Sequence, residues 1–265
     1  MNGSNLSPVY LFQGEGIGPI CLDYTEKMFQ KYENPIIKID YSYLIRNLDH
    51  GTLVLSGGIS NKQLWGICKI NMSVNKNHSQ APFQILKQNI EKGFNYIGIC
   101  AGGYTGAKEY VNIVDADYTP YSYSQVNQKL KVRSVKASVN RIDPTFGENI
   151  PKLSVPYFGG PEFTNIGKEV NVLARFSDNG SAAVVSQQYR HSQALLVSYH
   201  PEFSSEEFLN QNDLPSVFSD NLEPSISKEE FFSDLHASQS KVESFTSACF
   251  ATLNIQRKSR DVLEG

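Results

Sequence analysis

Between Asn95 and Tyr104 an apolar run ends on Gly98-Ile99-Cys100-Ala101-Gly102, and a helical pattern resumes from Gly103 through Tyr110. Gly-x-Cys-x-Gly between a strand and a helix is the pattern of a nucleophile elbow with sulfur in place of a hydroxyl. Such a turn is sharp and strained, so its neighbours must be small, and Gly98 and Gly102 meet that need. The helix that follows would point its positive end at the sulfur and favour negative charge there. The competing reading is a structural cysteine, since Cys is among the residue types most often buried. Glycines on both sides at elbow spacing weigh against it.

An elbow needs a sheet behind it, and the N-terminal half supplies the pattern of one. Short apolar runs at Val9–Phe12, Ile36–Ile39, Thr52–Leu55 and Phe94–Ile99 alternate with helical stretches, which is the order of a βα-repeating parallel sheet. Ile20, Tyr24, Met28 and Tyr32 share one helical face, and so do Phe83, Leu86 and Ile90, with Gly93 placed as a C-cap. Val9–Phe12, Thr52–Leu55 and Asn95–Ile99 are expected to be adjacent central strands. Beyond about residue 112, Lys129 to Val139, Val170 to Phe176 and Ala182 to Ser186 alternate polar and apolar side chains, as antiparallel strands with one wet face do. Asn210 to Ser227 reads as a loop, and a last helix is expected from about Ser238 to Leu253. The expectation is an α/β fold: a mainly parallel central sheet flanked by helices, with antiparallel β additions. Residues 1–265 read as one domain, with a core at about 8–203 and a C-terminal helical segment at about 204–265.

Charge narrows the function. Lys and Arg total 24 against 27 Asp and Glu, a net charge of -3, which speaks against a nucleic-acid partner. Cys21, Cys68, Cys100 and Cys249 are scattered without a C-x-x-C pair, so neither a disulfide framework nor a zinc site is expected, and a reducing compartment is. The first eight residues lack the basic and apolar regions of a signal peptide, and no apolar run reaches the ~18 residues of a membrane helix. A cytoplasmic location without a membrane partner follows as the expectation, although export through a C-terminal or folded signal would leave no mark in these features.

A cysteine nucleophile needs a base, and the base needs a group to orient it. Val197-Ser198-Tyr199-His200-Pro201-Glu202 places a His just past a buried strand, at the sheet edge where ligands of open α/β sheets bind. Glu202 could accept from the second imidazole nitrogen. His-Pro-Glu alone recurs by chance in loops; its weight comes from the elbow. His50, His78, His191 and His236 lack such a setting and read as surface residues, His191 at a hairpin tip. Ser56-Gly57-Gly58 follows a strand, and its N–H groups could join that of Ala101 in an oxyanion hole, the alternative being a tight strand exit that needs positive φ. Gly14-Glu15-Gly16-Ile17-Gly18 approaches a dinucleotide fingerprint, but Pro19 stands where its third glycine belongs, so no nucleotide cofactor is expected.

These blocks together resemble the class I glutamine amidotransferase-like superfamily, a flavodoxin-like fold, and more closely the N-terminal domain of biotin protein ligases, here as a stand-alone chain. Tyr10–Gly16, Leu55–Gly58, Gly98–Tyr104, Tyr157–Phe163, Val172–Phe176 and His200–Glu202 carry the resemblance. It implies Cys100 as nucleophile, His200 as base, Glu202 as orienting group, and Gly58 and Ala101 as oxyanion donors. Gly57, Tyr104, Glu15, Gly159 and Gly160 fall around the implied substrate pocket. Tyr104 stands where the superfamily's glutaminases carry Gln, and no Gly-Arg-Gly-Arg-type biotin loop occurs, so biotin transfer is not expected. The implied activity is a cysteine-dependent, amidotransferase-like hydrolysis of an amide or ester through a thioester. It needs no cofactor and no metal, acts on a small-molecule or peptide amide, and leaves room for a separate acceptor or ligase protein. Two alternatives stand beside it: a non-catalytic binding module of the same fold, and a redox or glyoxalase-type protein in which Glu15, not His200, partners the thiol.

Overall fold

A computed structural model describes residues 6–40, 43, 50–60, 62–63, 82–119, 123–126, 129–132, 137–145, 150–210 and 222–258. Cys68, His78, part of the stretch after Lys129 and most of the Asn210–Ser227 loop lie outside the described residues. The N-terminal half runs β1 (Val9–Phe12), α1 (Pro19–Phe29), β2 (Ile36–Ile39), β3 (Gly51–Leu55), α2 (Pro82–Lys92), β4 (Phe94–Ile99) and α3 (Ala101–Gly106). The β-rich part follows with β5 (Asp117–Thr119), β6 (Tyr123–Val126), β7 (Lys129–Val132), β8 (Ser138–Pro144) and β9 (Leu153–Tyr157). It continues with β10 (Glu162–Thr164), β11 (Val170–Phe176), β12 (Ala182–Gln188) and β13 (Gln193–Val197). A 3-10 turn (Pro201–Ser204), α4 (Glu206–Leu209) and the long α5 (Lys228–Ala251) close the described chain.

The main sheet has the order β2-β1-β3-β4-β13-β12-β11-β8-β9. The pairs from β2 through to β13 are parallel, and those from β13 onward are antiparallel. The three runs expected to be adjacent are β1, β3 and β4, side by side in the parallel half. Parallel strands are covered on both faces, which is why β1 and β3 are apolar and buried without alternation. On one face Met28 and Phe29 of α1 and Val242, Phe245 and Phe250 of α5 pack on Val9, Leu11, Val54 and Ile97. Leu86 and Ile90 of α2 cover Tyr10, Phe12, Leu53 and Tyr96 on the other.

The antiparallel half curls back towards the parallel one. Although β9 stands four places from β13 in the sheet, Pro156 O of β9 accepts from His200 N at 2.9 Å. Accumulated strand twist brings the far strand over the sheet's carboxyl edge.

Two boundaries differ from the sequence reading. The buried face of α1 is Cys21, Tyr24, Thr25, Met28 and Phe29, because the helix ends before Tyr32 and its apolar stripe starts one residue after Ile20. The last helix begins at Lys228 rather than near Ser238. Ser227 and Glu230 form a capping box, which satisfies the first orphan N–H groups and lets the helix start among polar residues. His236 therefore lies within α5, where it is exposed.

Candidate active site

Cys100 follows β4 directly, with φ 50° and ψ -104°, outside any helical region. A non-glycine residue at positive φ costs energy and persists only where the surroundings over-determine it. Here they do. An added Cβ on Gly98 would stand 2.4 Å from Gly102 O, and one on Gly102 would stand 2.1 Å from Leu55 O. Both glycines are needed for α3 to fold back over the ends of β3 and β4.

The strand register sets the rest. Leu196 pairs with Gly98 and Val197 with Ile99, so β13 and β4 end level, and Cys100 N donates to Val197 O at 2.8 Å. The chain leaving β13 thereby brings His200 to the edge that carries Cys100. His200 and Glu202 are 1% and 0% exposed, and Nδ1 lies 2.7 Å from Glu202 Oε1. The His200 ring stacks on Phe203 with centroids 5.0 Å apart, which fixes its plane. With Nδ1 engaged, Nε2 is the nitrogen left for the thiol.

Burial alone would push the His200 pKa down, but the neighbouring Cys100 and Glu202 outweigh it and raise it to about 10. Cys100 is close enough to interact with His200, yet Nε2 meets no partner at full hydrogen-bonding geometry. The thiol instead donates to Phe158 O at 3.6 Å. Loose contacts of this kind are common in unliganded sites. Phe158, Gly159 and Gly160 form the turn that covers the sulfur. Tyr157 donates to Gly160 O at 2.7 Å, and Tyr104 donates to Gly159 O at 3.2 Å, so the side chain four places after Cys100 fastens that cover to α3.

The Ser56-Gly57-Gly58 turn lies beside the ring: an added Cβ on Gly57 would stand 2.6 Å from His200 Cε1. Gly58 has φ +152°, and a Cβ there would meet Gly16 O at 2.0 Å, so no side chain fits. Among the described residues no backbone acceptor takes the N–H of Gly58 or of Ala101. The Gly14–Gly18 turn packs on the turn after β3, since Ile17 bridges Gly58 and Ile59 N donates to Gly16 O. Glu15 is exposed on that turn, and the carboxylate on the catalytic-type histidine is that of Glu202.

The sequence reading passed over Cys21. Its Sγ lies 2.9 Å from the position of a Gly57 Cβ, and one ligand atom each of Cys21, His200 and Glu202 fall within 4.8 Å of one another. The signal was the 21–24–25–28 spacing along α1, which turns Cys21 inward at the helix's first turn.

A cysteine elbow at the carboxyl edge of a parallel sheet, facing a His–Glu pair, defines a glutamine amidotransferase-like α/β protein. The comparisons agree. Similar folds occur in PurLQS from Thermotoga maritima (TM-score 0.55, 14% identity, covering 77% of this chain and 92% of that one). A second is a glutamine amidotransferase crystal structure (TM-score 0.51, 17% identity, 74% and 90%). In sequence, pyridoxal 5'-phosphate synthase subunit PdxT of Thermosipho africanus is 23% identical over 176 residues, 62% of this chain and 78% of that protein. The chain belongs to the family described as biotin-protein ligase, N terminal, whose model matches residues 116–264. That match takes in His200 and Glu202, while the Cys100 elbow precedes it.

Proposed function

We propose that the protein is a cysteine-dependent, amidotransferase-like hydrolase that cleaves an amide or ester through a thioester on Cys100. The carrying observation is the level ending of β4 and β13, which sets a strained cysteine beside a buried His–Glu pair. In the proposed reaction His200 Nε2 takes the thiol proton, and the sulfur attacks the substrate carbonyl carbon. Negative charge collects on the carbonyl oxygen, where the N–H groups of Gly58 and Ala101 donate to it. Collapse expels the amine or alcohol, which takes the proton from His200, and water then hydrolyses the thioester. Glu202 holds the ring and stabilises its charged form.

The substrate enters only if the Phe158–Gly160 turn moves off the sulfur. That contact, with Cys100 only 5% exposed, also supports a second reading: a binding module that keeps the pocket without turnover. A panel of activated amides and esters, with acylated protein followed by mass spectrometry, separates the two. The hydrolase reading expects an acyl group on Cys100 that hydroxylamine releases, and none in Cys100→Ala. Absence of any adduct across the panel favours the binding module. Ammonia release from glutamine tests whether Tyr104, in place of Gln, excludes that substrate.

A further inference from the structure

Beside the His–Glu pair lies a buried thiol, that of Cys21, which amide hydrolysis does not use, and with the pair it makes a donor set. Cys21, His200 and Glu202 are all buried and offer sulfur, nitrogen and oxygen atoms within 4.8 Å of one another. On a tetrahedral zinc ion with bond lengths of 2.0–2.3 Å, ligand atoms sit about 3.3–3.8 Å apart. The longest separations must therefore contract by about 1 Å, and the 2.7 Å His200–Glu202 hydrogen bond must open where Nδ1 and Oε1 are the ligands. Glu202 Oε2 is buried and without a hydrogen-bond partner among the described residues. A buried carboxylate oxygen without a partner is costly, and a bound cation is one remedy.

We propose that Cys21, His200 and Glu202 form a latent site for a thiophilic divalent cation, with zinc the best match, and that its occupation silences Cys100. The charges close: a 2+ ion, the Cys21 thiolate and the Glu202 carboxylate sum to zero around a neutral imidazole. Binding releases the Cys21 thiol proton, and the extra imidazole proton where His200 is charged, to solvent; no electron moves. Without the ion, a Cys21 thiolate would stand beside the Glu202 carboxylate in a buried space, and the thiol keeps its proton. Mixed sulfur, nitrogen and oxygen donors select zinc or cobalt over magnesium or calcium. Gly57 gives the site its room, since a Cβ there would meet both Cys21 Sγ and His200 Cε1. With His200 ligated, neither the base nor its orienting carboxylate is free to serve Cys100. The silencing rests on the hydrolase reading; the site itself does not.

Cobalt and zinc titrations of the purified full chain test the site apart from any turnover. One equivalent of cobalt should give a thiolate-to-cobalt charge-transfer band that survives in Cys100→Ser and disappears in Cys21→Ser. Glu202→Gln should weaken zinc binding at least tenfold, which guards against misfolding of the Cys21 variant. Zinc should slow alkylation of Cys100, and Cys21→Ser should require at least tenfold more zinc for the same slowing. A band retained in Cys21→Ser, a band lost in Cys100→Ser, or binding that is not stoichiometric would overturn the proposal. Failure of the acylation experiment would leave these binding results standing, so the two readings fail separately.

Discussion

His200 Nδ1 and Glu202 Oε1 are 2.7 Å apart in a space closed to solvent, with only Pro201 between them in sequence. The short contact fixes the ring: Nδ1 donates to the carboxylate, and Nε2 is the nitrogen turned to the thiol, whose proton it holds when the ring is charged. Because Glu202 acts only through the ring, its removal should matter less than removal of the ring itself. General-base assistance is worth about 10²–10⁴-fold. His200→Ala should therefore lower acylation of Cys100 within that range and Glu202→Gln by less, as read by acylation rates.

Among the cysteines, Cys21 is held well above its usual pKa by burial and by the Glu202 and Cys100 charges, and burial pushes Cys249 up to about 12. Neither should ionise near neutral pH. Iodoacetamide at pH 7 should label Cys100 ahead of both, and peptide mapping reads the order directly. Equal labelling would mean that Cys100 lacks a base.

The raised pKa of His200 makes stability depend on pH. Protonation favours the folded state, so this contribution is whole below the unfolded value of about 6.5 and fades as pH rises through about 10. Glu243 works on the acid side. Burial opposes its charge, but Lys31 and Arg257 hold its pKa low, so its share is present above about 4.3 and is lost as pH falls. Denaturant midpoints should decline between pH 6.5 and 10, and the decline should flatten in Cys100→Ser, where the partner charge is gone.

Gly102→Ala tests the elbow's packing. The new Cβ meets the Leu55 backbone at 2.1 Å, and overpacking of this sort costs about 1–3 kcal/mol. Gly180→Ala is the control: φ is +74° but nothing lies within 4 Å, so only backbone strain remains. Urea unfolding should show the larger loss for Gly102→Ala, together with slower labelling of Cys100 as α3 is pushed from its seat.

Ser227→Ala removes the side-chain acceptor for Glu230 N, at 3.1 Å, and half of the capping box. A lost N-cap costs about 1 kcal/mol. The midpoint of unfolding should fall accordingly, while Cys100 labelling in the folded protein stays as it was.

The elbow, the His–Glu pair and the parallel strands could be read from sequence because each is local: a strand run, glycines at fixed spacing, three consecutive residues. The approach of Cys21 and of the Phe158 carbonyl was not: helical spacing turns Cys21 inward without saying what it meets, and nothing local marks Phe158. Cys21 reaches His200 through the angle of α1 on the sheet, and Phe158 reaches Cys100 through the curl of the antiparallel half. The early start of α5 was hidden for a different reason. Its first turns are polar, and a capping box rather than apolar periodicity begins it.

The pairing of β4 with β13 joins strands far apart in the chain, and it brings the ends that carry sulfur and imidazole to one edge. Such non-local closure is slow relative to helix or hairpin formation. During synthesis Cys100 emerges long before His200, so the nascent polypeptide carries the elbow thiol without its His–Glu pair. On the hydrolase reading, reactivity would thus switch on at the final closing of the sheet, and a ribosome-bound or misfolded copy would lack the means to form an acyl group on Cys100.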